Sequence, residues 1–247
     1  MDELLEARVS DMYSQCARNY SPVYSAFLDE RQCALSELYC RDDGELLHKF
    51  WGGYDDAQRK ILCVYPDFSE DCVISDCPIR CLTFTFRKED KLSHRDFLGS
   101  FMALCLKREV IGDIIIAEGI AQAFVTDVAA RLILGTISKI GRVGVKISDE
   151  MPFSLENNQE YETIGGTVAS PRLDCIVSLA AKVSRENAAR LIRSEKTAVN
   201  HLTAKSVSSE LKEGDVISIR GYGKFIFESV NGTTKKGRKH IILRKYK

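Results

Sequence analysis

The chain reads as an α+β protein in three parts. These are a mostly helical N-terminal region (residues 1–77), a middle domain in the order β-α-β-β-α-β (78–150) and, after a connection (151–169) with one strand around Glu160–Val168, a domain of two helices and several strands (170–247). Three observations predict this. Apolar residues recur at mixed three- and four-residue steps through the first 40 residues or so, the helical spacing. From Arg80 to Ile147 short apolar runs alternate with two helical stretches. The third is charge. The chain is neutral overall, with 35 Lys+Arg and 35 Asp+Glu, yet residues 171–247 hold 17 basic against 7 acidic side chains, a net +10, which leaves net −10 on residues 1–170. Such a split points to a polyanionic partner for the basic part.

In the first part, Glu3–Asn19 and Asp29–Tyr39 read as helices, with Asp29 able to cap the second. Phe50–Tyr54 reads as a strand end and turn, Asp55–Lys60 as a short helix, Ile61–Tyr65 as a strand and Asp67–Asp76 as an exposed acidic linker. In the middle part, Arg80–Phe86 alternates as a strand does, and Ser93 with Asp96 three residues on marks the start of a helix through Leu106. Ile114–Ala117 and Ile120–Val125 meet at Glu118-Gly119 as a hairpin. Thr126 caps a helix through Ser138, Gly141 ends it, and Val143–Ile147 is the last strand. The order is that of a split βαβ, or ferredoxin-like, domain. RNA-recognition motifs of that order stack bases on aromatic residues of their central strands. Here the hairpin offers only Phe124, so a scaffold or docking role is expected for this domain.

In the last part, Cys175–Val183 and Arg185–Ser194 read as a helix pair, with Ser184 capping the second. On that second helix Ala188, Leu191 and Ile192 share one face, and Asn187, Arg190 and Arg193 the opposite one. Strands follow at Thr197–Asn200, Val216–Arg220, Lys224–Val230 and His240–Arg244, with turns at Glu213–Asp215 and Asn231-Gly232. Guanidinium groups on an exposed helix face beside a free helix N-terminus suit phosphate.

No apolar stretch approaches the ~18 residues of a membrane-spanning helix. The first eight residues are acidic and polar, unlike a secretory leader, so a cytoplasmic location is the default expectation. Nine cysteines are scattered from Cys16 to Cys175. Those at Cys72, Cys77 and Cys81 are spaced too loosely for the usual zinc patterns. Neither a metal nor another cofactor is expected, nor a small-molecule substrate.

The string "RLD…SRENAARLI…AVN…LKEGDVISIR" resembles the S-four RNA-binding domain first described in the fourth small-subunit ribosomal protein. "GYGKF…NGTTKKGR", "LSHRDFLGSFMALCLKREVIGDI", "FWGGYDDAQRKILCVYPDF" and "SAFLDE" resemble the YlmH family of bacterial S-four-domain proteins. The resemblance spans nearly the whole chain. It implies a non-catalytic RNA-binding protein of the large ribosomal subunit, related to factors that rescue stalled subunits still holding peptidyl-tRNA; a monomer is expected. Ribosomal RNA is then the expected partner, with tRNA as a further one. It places RNA contacts at Arg172, Ser184, Arg185, Asn187, Arg190, Arg193, Lys196, Asn200 and Arg220, and the basic turn adds Lys235, Lys236 and Arg238. Asp174 reads as a cap or as the partner of a nearby arginine. Glu195 and His201 stand where the family has glycines, which leaves the turn around Lys196 open to departure from the family's. Gln58 replaces an acidic residue of the family.

Two other functions fit parts of the sequence. Arg172-Leu173-Asp174 matches the catalytic triplet of pseudouridine synthases, although too few residues follow to build a synthase domain. His94 and Asp113 are further candidates for chemistry, but without a nucleophile–base pair or phosphate loop. The acidic first two thirds could instead serve as an adaptor that docks a protein partner.

Overall fold

In the computed structural model, which describes residues 2–41, 44–155, 160–234 and 237–247, the chain divides into two compact units, residues 1–157 and 158–247. The first unit opens with α1 (Asp2–Asn19), β1 (Val23–Leu28), α2 (Glu30–Tyr39), β2 (Leu46–Trp51) and β3 (Lys60–Pro66). Asp29 caps α2 as its sequence position suggests. Its carboxylate accepts from Gln32 N at 2.8 Å, while the Gln32 side chain accepts from Asp29 N at 2.9 Å.

The expectation of a mostly helical N-terminal region needs correction. β1, β3 and β2 form an antiparallel sheet in that order, with β3 in the middle and buried along nearly its whole length. The flanking strands are short and pair with residues 10 or more positions away, and of the two the sequence marks only the end of β2, at Phe50-Trp51. Residues 55–59 form a turn rather than a helix. The acidic segment 67–76 is not simply an exposed linker, since Val73 is fully buried and packs with Phe27, Ile61 and Cys77.

The rest of this unit comprises β4 (Ile79–Thr85), α3 (His94–Ala103), β5 (Ile111–Ala117), β6 (Ile120–Thr126), α4 (Asp127–Thr136), the two-residue strands β7 (Lys139–Ile140) and β8 (Val143–Gly144), and β9 (Lys146–Ser148). The antiparallel sheet runs β5-β6-β4-β9. Gly141 turns the small β7–β8 hairpin with φ +57° instead of ending α4. One face of this sheet, with Leu82, Phe84, Ala121 and Ala123, packs on Phe97 and Phe101 of α3 and Ala129 and Ile133 of α4. The other face is covered as well. Ile115 and Phe124 sit in one core with Phe27, Ile61, Cys63 and Tyr65. Buried Gln122 donates to Thr83 Oγ1 and Pro152 O, each at 3.0 Å, and its side-chain oxygen accepts from Ser154 N and Leu155 N at 2.9 and 3.1 Å. Residues on either side of the 77/78 division thus share a core, and the structure parts the chain at 157/158.

A polar lock explains two of the motifs. Asp113 of β5 accepts from Tyr54 Oη at 2.9 Å, Gln58 N at 2.7 Å and Arg59 N at 3.1 Å. The half-buried Arg59 donates to the carbonyls of Ile111, Phe27 and Arg108. Gly53 has φ +99°, and a Cβ there would lie 2.2 Å from the Phe124 ring. The "GGYDDAQR" and "GDI" strings therefore encode one structural junction.

The second unit comprises β10 (Tyr161–Val168), α5 (Leu173–Ala181), α6 (Arg185–Arg193), β11 (Thr197–Val199), β12 (Leu202–Thr203), β13 (Val216–Ile219), β14 (Gly223–Thr233) and β15 (Lys239–Tyr246). All pairs of its six-stranded sheet are antiparallel, in the order β10-β15-β14-β13-β11-β12. β10 is the strand expected within the connection, and it pairs with β15 from Tyr161↔Tyr246 to Val168↔Lys239 as an edge strand of this unit. The β14–β15 turn also lies beyond Asn231-Gly232. β14 runs on to Thr233, and Thr234 N donates to Arg238 O at 2.7 Å. Both helices pack on one side of the sheet, against Ile217, Ile219, Phe225, Phe227, Ile241 and Leu243.

Candidate RNA-binding site

α6 forms because Ser184 caps it, accepting from Asn187 N at 3.2 Å, and because Ala188 and Ile192 bury one stripe against α5 and the sheet. The opposite face then has to be polar. Asn187, Arg190 and Arg193 are exposed on it, and Arg190 Nη2 donates to Asn187 Oδ1 at 2.9 Å. Glu186 stands among them, so the face is basic without being uniformly so.

At the start of α5, Asp174 is only 4% exposed and lies between two arginines. Its Oδ1 accepts from Arg172 Nε at 3.1 Å, and its Oδ2 from Arg185 Nη2 at 2.5 Å. Burial pushes the carboxyl pKa up, but the hydrogen bonds from Arg185 and Arg172 outweigh it, and the net shift is downward. Asp174 is thus the arginine partner that the sequence suggests. It turns two half-exposed guanidiniums toward one edge of the helix pair and leaves a net positive group there.

The turn after α6 keeps its shape without glycine. Glu195 takes φ +56°, Glu195 N donates to Ile192 O, and Lys196 N donates to Leu191 O, each at 3.0 Å. This pair of bonds is the Schellman closure, at the cost of a left-handed non-glycine residue. Lys196 is held in turn by its carbonyl, which accepts from Arg220 N at 2.8 Å. The structure therefore joins the ends of α6 and β13, placing exposed Lys196 beside exposed Arg220. Asn200 and His201 are also left-handed, at φ +47° and +68°.

Other expected residues lie elsewhere. The Asn200 amide is engaged in the fold: its Nδ2 donates to Asp215 Oδ1 at 2.8 Å, and its Oδ1 accepts from Val216 N at 2.9 Å. Arg238 donates to Thr167 O at 2.6 Å, at the end of the sheet where Thr233 pairs with Lys239. That end lies roughly 30 Å along β14 from the Gly223 end, which adjoins Arg220. Lys235 and Lys236 lie outside the described residues.

The expected set omits Lys224 and Arg244. The period-two alternation of Lys224, Ile226 and Glu228, and of Ile242, Arg244 and Tyr246, is the signal that places them on one side of the sheet.

The candidates for chemistry do not assemble. His94 begins α3, and its pKa is lowered by burial and then by Arg108, while Asp113 is committed to the Tyr54–Arg59 lock. Among the described residues no group of three His, Cys, Asp or Glu side chains is placed to hold a metal ion. Cys77 is buried, Cys81 half-buried and Cys72 exposed. Among the described residues no helix is long and apolar enough to cross a membrane.

Residues 80–154 match the family model described as "Putative RNA-binding domain in YlmH". A Bacillus subtilis (strain 168) protein named "Ribosome-associated protein quality control protein P2" is 30% identical over 227 residues, covering 90% of this chain and 86% of that protein. The chain belongs to the YlmH family. The solved "Cell division protein ylmH from Streptococcus pneumoniae" shares the fold with a TM-score of 0.53 at 19% identity, over 61% of this chain and 91% of that one. The YlmH model falls on the region expected to be a scaffold, not on the basic second unit. Within that region the sheet has no open face on which to stack bases, since Phe124 is 2% exposed beneath Tyr54 and Phe153.

Proposed function

We propose that this chain is a non-catalytic, ribosome-associated RNA-binding protein whose residues 158–247 form an S-four-type domain. That domain grips structured ribosomal RNA of the large subunit, and peptidyl-tRNA beside it, during rescue of stalled ribosomes. The observation that carries this reading is the basic edge of the helix pair. Arg172 and Arg185 are aimed by buried Asp174 next to the exposed Arg190–Arg193 row, within a segment of net +10. Planar guanidiniums oriented by a carboxylate suit the bidentate capture of phosphate oxygens. The name of the Bacillus subtilis relative supports the ribosomal setting, and with it the cytoplasm as the place of action. Residues 80–154, ferredoxin-like in strand order, would add contacts through exposed side chains such as Arg95, Arg131 and Arg142, because their sheet is covered.

A pseudouridine synthase would need Asp174 available to attack a base. Here both of its oxygens are held by arginines and the residue is nearly buried, which favours a positioning role. Binding of the full chain to isolated large subunits, measured by co-sedimentation, tests the proposal. Wild type should pellet with the subunits and Arg190→Glu/Arg193→Glu should not; equal pelleting of both would refute it. Mass spectrometry of cellular RNA with and without the gene should reveal no pseudouridine that depends on Asp174.

A further inference from the structure

We infer that the helix-free face of the six-stranded sheet is a second RNA surface, a stacking platform for an unpaired segment. This rests on the reading of residues 158–247 as an RNA-binding unit and adds a surface separate from the helix pair.

Both helices of the unit lie on one side. A Cβ on Gly166 would meet Leu179 of α5 at 2.3 Å, whereas one on Gly165 would meet only Ile242 and His240 of β15, at 3.7 and 3.8 Å. Strand alternation then assigns the uncovered side to Tyr161 of β10, His240, Ile242, Arg244 and Tyr246 of β15, Lys224 and Ile226 of β14, and Ser218 of β13, all half-exposed. At the end of the sheet nearest Arg220 this side gathers aromatic rings and cations. Tyr161 and Tyr246 meet edge to face with ring centroids 5.0 Å apart. Lys224 Nζ lies 4.9 Å from the Tyr246 ring centroid, and Arg244 Cζ lies 4.9 Å from that of Tyr161. Tyr222, 39% exposed on the β13–β14 turn, stands at the same end. The acidic neighbour is Glu228, paired with Arg244 at 3.2 Å.

Two rings interleaved with two cations, beside small or absent side chains at Ser218 and Gly165, make a surface on which flat bases can lie while phosphates meet Lys224 and Arg244. Base–aromatic stacking is stronger than a half-exposed cation–π contact. An arriving base can therefore take the ring face and leave the displaced cation beside the backbone. A duplex cannot use such a platform, because its bases are already stacked on each other. An unpaired RNA strand fits both the rings and the charge.

The test compares the full-length chain with its Tyr161→Leu/Tyr246→Leu form by fluorescence anisotropy, on a labelled ten-nucleotide oligouridylate and on an RNA hairpin. Oligouridylate binding should weaken about tenfold or more, with an unchanged salt slope, since stacking releases no counterions. Hairpin binding should hold within about twofold, and Tyr161→Phe/Tyr246→Phe should keep both activities. Arg190→Glu/Arg193→Glu should show the converse pattern, so failure of the platform and failure of the helix-pair site are told apart. Unchanged oligouridylate affinity in the leucine pair, or equal losses in the phenylalanine and leucine pairs, would overturn the inference. Photo-crosslinking of wild type to a 5-iodouridine oligonucleotide gives an answer that does not depend on how the variants fold. Crosslinks at Tyr161 or Tyr246 are expected, and crosslinks confined to α6 would overturn it.

Discussion

The four-stranded sheet of the first unit is covered twice, by α3 and α4 on one face and by β1, β3 and the 152–155 segment on the other. The six-stranded sheet of the second unit carries both its helices on one face. The consequence shows in the aromatic residues. Phe124 lies centrally on its sheet, where an RNA-recognition motif would display a stacking ring, yet it is core, stacked on Tyr54 at 5.1 Å. Tyr161 and Tyr246 lie at the end of theirs and reach solvent. The chemistry open to a strand residue is thus set by what lies over it, not by its type.

The largest effect should come from breaking the covered face. Phe124→Ala removes a buried ring from a core shared by both halves of the first unit, and should cost about 3–5 kcal/mol. Denaturant unfolding followed by Trp51, the single tryptophan and a residue of that core, would measure it. Ile226→Ala on the open face of the other sheet should cost about 1 kcal/mol or less, read from hydrogen exchange of β14 amides. Similar costs at the two positions would mean that the second face is not open.

The helix-pair edge comes next. Arg190→Glu should weaken binding to structured RNA about tenfold at low salt, and flatten the log–log salt slope by roughly one unit for each phosphate that the protein no longer neutralises. The melting temperature should stay within a degree or two, because Arg190 is exposed. Unchanged affinity would move the RNA surface away from α6.

Asp174→Asn should cost about 1–2 kcal/mol, the scale of charge-assisted hydrogen bonds to arginines that water partly screens. Its pH dependence has a definite sign. The folded pKa is depressed, so the contribution is present above the unfolded value of about 3.9 and is lost as pH falls through the lower folded value. Wild type should therefore lose more stability than Asp174→Asn on acidification from about pH 6 to pH 2.5, and the two melting curves should converge. A gap that stays constant over that range would mean that Asp174 is not held ionised by Arg172 and Arg185.

The smallest effect is at Glu195. Glycine there removes a left-handed strain of roughly 1 kcal/mol and adds some chain entropy to the unfolded state, so Glu195→Gly should stabilise the second unit by a few tenths of a kcal/mol. Removing an acidic side chain beside Arg193 and Lys196 should also tighten RNA binding slightly. A destabilised variant would show that the Glu195 side chain contributes more than its backbone strain costs.

Much of this was legible in the residues alone. The middle order of strands and helices, the Asp29 and Thr126 caps, the helix pair and the exposed face of α6 follow from period, capping chemistry and the charge split, all of which are local along the chain. The family too could be read from strings such as "GDI" and "GYG", although the sequence did not say that Asp113 and Gly53 serve a structural lock. Tertiary structure decided whatever depends on distant partners. β1 and β2 form one sheet because β3 lies between them, and β10, legible as a strand, becomes part of the second unit because β15 offers it an edge about 80 residues later in the chain. The same distance effect commits the Asn200 amide to Asp215 and Val216, sends Arg238 to the far end of the sheet, and makes Phe124 core while Tyr246 stays half-exposed. Propensity and periodicity describe what a segment can become. Which face is buried, and which polar atom is already engaged, depend on contacts that form only when remote parts of the chain meet.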